Sequence, residues 1–97
     1  MRFLQRIIII MQVFMVERDL SGTSLSDLSQ VKAAAIRQAE KMYDAGDRVR
    51  YIRSTFVPGD GRCLCLFEAK NLDIVTQLNR DAALPFERIS VAMDILP

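Results

Sequence analysis

Five side chains on stretches that read as strands could do chemistry together: Glu17, Arg18, Tyr51, Arg53 and Glu68. If adjacent strand ends bring them together, two guanidinium groups clamp a carboxylate beside a phenol in a half-buried cleft. Such a site suits a small polar or anionic ligand. The same residues also make an ion-pair network that sets the register of a dimer interface, and small dimers routinely use such pairs. A general acid or base would have to be Glu17, Glu68 or Asp94, its pKa raised by burial. His is absent from all 97 residues, which excludes Ser/His and Cys/His catalysis, and no Gly-x-Ser-x-Gly motif occurs.

The remaining reactive side chains are Cys63 and Cys65, at i and i+2. In a strand both point the same way, a geometry that suits a disulfide poorly. With two Cys and no His, a metal signal is weak, so the pair reads as small buried hydrophobes, and no metal or cofactor is expected. A reducing, cytoplasmic setting follows as the simpler expectation.

The elements that must position these groups belong to one domain. Half of the 97 residues are apolar and a quarter are charged, an ordinary globular balance. The net charge of +1 gives no field that would gather nucleic acid or an anionic membrane, and neither is expected as a partner. Basicity comes from ten Arg and three Lys, and Arg is the better residue for forked, partly buried pairs with carboxylates. Residues 12–97 form the domain, and residues 1–11 are an N-terminal extension or the start of a long first strand. The apolar run 7–11 is too short to span a bilayer and lacks a small-residue cleavage site after it.

Residues 12–18 alternate as a strand. Ser24-Leu25-Ser26-Asp27 has the form of a capping box, followed by Leu28, Val31, Ala35, Ala39 and Met42 at helical spacing, which predicts a helix over 26–45 ended by Gly46. Residues 49–57 and 62–69 flank the turn Pro58-Gly59-Asp60-Gly61 as a hairpin. Asn71 or Asp73 caps a second helix that must end before Pro85, and 86–96 alternate as a closing strand. The order β-α-β-β-α-β predicts an α+β, ferredoxin-like domain: a four-stranded antiparallel sheet with two helices on one face.

The hairpin also predicts which side chains share a face. With the turn centred on Gly59-Asp60, Phe56 meets Cys63, Ser54 meets Cys65 and Ile52 meets Phe67, and these six form the helix-covered side. The other side then carries Tyr51, Arg53, Thr55, Leu64, Leu66 and Glu68. Leu64 and Leu66 would be wet in a monomer, whereas antiparallel sheets with one wet face usually alternate cleanly. A homodimer closing sheet on sheet is the economical solution. The aromatic platform that binds RNA on such sheets is missing, because Cys and Leu occupy its positions in 61–67.

Several segments resemble a bacterial family called domain of unknown function 4242: Phe14-Met15-Val16-Glu17-Arg18-Asp19-Leu20, the hairpin 50–59, Cys65-Leu66-Phe67-Glu68-Ala69 and Leu84-Pro85-Phe86-Glu87-Arg88-Ile89. The resemblance runs from Gln12 to Ile95. It implies a ferredoxin-like fold, paired in the manner of dimeric α/β barrels, and in some members nickel held by histidines. The positions that look equivalent are Glu17, Arg18, Arg53 and Asn79. None is His, and guanidinium cannot coordinate a cation, so what carries over is a pocket location and not the metal. Asn79 thereby joins the candidate ligand-binding residues. The reading that results is a non-enzymatic, dimeric small-ligand-binding or assembly module. The alternative is a cofactor-independent isomerase or monooxygenase-like enzyme of the dimeric α/β-barrel type using Glu17, Glu68 or Tyr51.

Overall fold

The structure, a computed structural model, describes residues 11–97. The expectations about residues 1–10 lie outside the described residues. The elements run β1 (Gln12–Asp19), α1 (Leu25–Asp44), β2 (Val49–Val57), β3 (Arg62–Ala69), α2 (Leu72–Asp81) and β4 (Arg88–Ala92). They make one antiparallel sheet in the order β2-β3-β1-β4. This is the ferredoxin-like arrangement, with the helices on one face of the sheet.

Each helix begins where its cap chemistry places it. Ser24 accepts the amide of Asp27 at 3.1 Å, and Asn71 accepts that of Ile74 at 3.0 Å, so each satisfies one of the orphan amides of its first turn. The first helix starts and stops one residue earlier than the predicted 26–45. Its stripe of Ala35, Ala39 and Met42 lies on the sheet residues Phe14, Val16, Val49 and Phe67, all buried. Small Ala side chains let a helix approach a sheet that already carries large residues.

Two predicted features are corrected. The hairpin register holds from Val57 to Arg53 and then slips at a β-bulge, so Tyr51 and not Ile52 faces Phe67. One extra residue in β2 moves every side chain beyond it to the opposite face. Tyr51 is thereby carried to the helix side, where its ring meets Phe67 edge to face at 5.7 Å between centroids.

The closing strand covers 88–92 and not 86–96. Ala92 lies opposite Val13, so among the described strand residues only Gln12 remains to pair beyond it. Met93, Ile95 and Leu96, beyond the strand, are exposed at 68–85%, and Val91, on the edge strand itself, at 67%.

Candidate functional site

Glu17 and Arg18 are neighbours on a strand, and alternation sends them to opposite sides of the sheet. The six candidate residues therefore form two groups. Arg18, Tyr51 and Asn79 lie on the helix side, whereas Glu17, Arg53 and Glu68 lie on the open side. No single cleft joins all of them, although Tyr51 and Glu68 line one cleft at the β2 edge.

On the helix side, Arg18 is completely buried. Its Nη2 donates to Asn79 Oδ1 at 2.6 Å, its Nη1 to the Pro85 carbonyl at 2.9 Å, and its Nε to Cys65 Sγ at 3.4 Å. All three acceptors belong to uncharged residue types, and no carboxylate of the described residues pairs with it. Burying an unpaired ion is costly, and here the negative end of the α2 dipole offsets the cost only in part. Asn79, also fully buried, is held in the last turn of α2 by donating through Nδ2 to the Val75 carbonyl at 2.8 Å.

A chain of polar groups leads from this guanidinium toward the surface. Ser54 Oγ donates to Cys65 Sγ at 3.0 Å, and the Tyr51 hydroxyl lies 2.7 Å from Ser54 Oγ. Since the Ser54 hydrogen is directed at the sulfur, the phenol is the donor of that pair. Cys65 Sγ thus receives two hydrogen bonds, one from a hydroxyl and one from a cation. Cys63 Sγ stands 3.8 Å from it, and both thiols are free. Burial, reinforced by the neighbouring Cys65, pushes the Cys63 thiol up to about 12, with Arg18 opposing weakly. Desolvation also raises the Tyr51 phenol above its ordinary value, against the hydrogen bond to Ser54.

Above the two sulfurs, a cleft of about 420 Å³ opens between α1 and the β2–β3 hairpin. Leu28, Val31 and Phe56 wall it, Lys32 stands among its lining residues, and Ser54, Cys63 and Cys65 form part of its lining.

The open side is organised by Glu17. Its carboxylate takes Arg88 Nε at 2.5 Å and Arg62 Nη2 at 2.6 Å while remaining only 6% exposed. The hydrogen bond from Arg88 foremost, and the charges of both guanidinium groups, hold its carboxyl below the ordinary value despite its desolvation. Arg53 pairs instead with Asp94. Glu68 lines a cleft of about 470 Å³ with Val13, Arg50, Ile52 and Asp94, and Tyr51 reaches its edge, so these two candidates do share a cleft. Between these polar groups, Met15, Leu64 and Leu66 are half-buried.

Sequence reasoning missed Cys65, Ser54, Arg62 and Arg88 as partners of the candidate groups. A signal existed for the first two, because the hairpin register already set Ser54 against Cys65. Among the described residues, no three His, Cys, Asp or Glu side chains gather as a metal site. No described helix is long and apolar enough to cross a membrane.

Fold and interior together define a small ferredoxin-like α+β protein with a buried guanidinium–dithiol cluster. The family described as nickel responsive protein SCO4226-like matches residues 14–91, most of the chain, and the chain belongs to that family. This is compatible with the resemblance to domain of unknown function 4242. Among solved structures, SCO4226 from Streptomyces coelicolor A3(2) is similar, with a TM-score of 0.72 and 19% identity over 87% of this chain and 99% of that one. At this identity the likeness shows the fold. No curated protein matches the chain.

Proposed function

We propose that the chain works as a non-enzymatic, cytoplasmic homodimer that closes sheet on sheet, serving assembly or the binding of a small polar or anionic ligand. One observation carries this reading. Met15, Leu64 and Leu66 form an apolar centre on a sheet face that no helix of the described residues covers, ringed by the Glu17–Arg62–Arg88 cluster and the Arg53–Asp94 pair. An apolar centre with a polar rim is the anatomy of a protein interface. A second copy would also roof the cleft beside Glu68, Arg50 and Asp94, whose mixed charge suits a small polar ligand.

The other reading, a cofactor-independent enzyme, needs a free acid or base. Glu17 is held low by two guanidinium groups and the Tyr51 phenol is raised, which leaves Glu68, in the open cleft with Arg50 and Asp94, as the one group on which that reading would rest. Nickel is the metal that the family's description suggests, and the residues present do not fit it. Imidazole is absent, the two thiols lie beside a buried cation, and Glu17 is occupied by two others.

Sedimentation at micromolar concentration should give twice the chain mass. Leu66→Asp should give a monomer, because closing the interface would bury an unpaired carboxylate. A monomeric wild-type protein at that concentration would sink the proposal.

A further inference from the structure

Beyond that reading, and independent of the dimer, the geometry points to a redox site: we propose that hydrogen peroxide oxidises Cys65 to a sulfenate, which Arg18 and Ser54 hold as the anion that the buried guanidinium otherwise lacks. The peroxide O–O bond breaks as the S–O bond forms, and the sulfur gives up two electrons to it. The thiol proton leaves with the departing hydroxide as water, and the sulfenic acid then releases its own proton to solvent.

The donors select the sulfur. Arg18 Nε at 3.4 Å and Ser54 Oγ at 3.0 Å both donate to Cys65 Sγ, and the Tyr51 hydroxyl stands behind Ser54 at 2.7 Å. The attacking form of a thiol is its thiolate, and donors fixed in advance stabilise negative charge as it develops. Cys63 receives neither of these hydrogen bonds. Its sulfur lies 3.8 Å away, and burial pushes its thiol up to about 12, so it stays protonated beside the reacting one. The charge selects the product. Arg18 is completely buried, its acceptors are an amide, a carbonyl and a thiol, and no carboxylate of the described residues pairs with it. A sulfenate at Cys65 brings this buried cluster to neutrality. Access is through the cleft of about 420 Å³ between α1 and the hairpin, which both sulfurs help to line and which has room for a molecule little larger than water.

The test is stoichiometric hydrogen peroxide added to reduced, tag-free protein, read by peroxide consumption and intact mass. Wild type and Cys63→Ser should each gain one oxygen that dithiothreitol removes, and Cys65→Ser should not. The rate should exceed that of free cysteine by about tenfold or more. Ser54→Ala should slow the reaction, and so should Asn79→Asp, which gives Arg18 a carboxylate in advance. Because oxidation supplies the missing anion, the oxidised protein should melt at a higher temperature than the reduced one. A rate no faster than free cysteine, reversible oxygen uptake by Cys65→Ser, a Cys63–Cys65 disulfide in place of the added oxygen, an unslowed Asn79→Asp variant, or a lower Tm on oxidation would each overturn the proposal.

Discussion

Replacing Asn79 tests whether Arg18 is held as its geometry indicates. Asn79 Oδ1 takes the Nη2 hydrogen of a completely buried guanidinium at 2.6 Å. Asn79→Ala leaves that charged donor without a partner, which costs about 1.5–3 kcal/mol. The amide also vacates a few tens of Å³, worth about 1 kcal/mol at roughly 24 cal/mol per Å³. Against this, Ala is the better helix former in α2 by about 0.6 kcal/mol. The expected loss is about 2–3 kcal/mol, or roughly 10–20 °C in Tm for a domain of this size. Denaturant and thermal unfolding should be measured at one fixed protein concentration, because association would shift both. Asn79→Leu, which nearly preserves volume, should keep most of the loss, whereas Asn79→Asp should restore stability at neutral pH by giving Arg18 a carboxylate. A loss below about 0.5 kcal/mol in Asn79→Ala, or equal losses in the Leu and Asp variants, would refute the account of Arg18 as a buried cation short of an anion.

Further outcomes follow from the other contacts. Calorimetric titration of the reduced protein with Ni²⁺ should give no micromolar site; a stoichiometric heat would show that the donor set has been misjudged. Glu17 has a folded pKa below its ordinary value of 4.5, held there mainly by Arg88, so its contribution to stability is present above that value and lost as pH falls through the folded pKa. Unfolding measured from neutral pH downward should therefore fall less steeply for Glu17→Gln than for wild type, and parallel curves would count against the ion-pair assignment. Gly61 has φ +75°, and a Cβ there would collide with the backbone of Ser21, so Gly61→Ala should cost more than the roughly 1–2 kcal/mol of the left-handed conformation alone. An unchanged Tm would mean that the β1–α1 loop yields freely.

Local chemistry was legible in the residues. The caps at Ser24 and Asn71, the Pro58–Gly61 turn and the shared face of Cys63 and Cys65 all follow from interactions within a few positions. Alternation along β1 also contained the separation of Glu17 from Arg18, although the candidate site had placed them together. What depends on pairing across the sheet was decided only in three dimensions. The bulge that turns Tyr51 inward is a compromise between β2 and β3 that neither strand encodes alone. The end of β4 depends on how much of β1 lies opposite it, and alternation over 93–96 could not reveal that. The partners of Arg18 come from β3, from the last turn of α2 and from Pro85, up to 67 positions away. Sequence spacing sets which way a side chain leaves its strand, whereas only the packed helix over the sheet decides what it meets there.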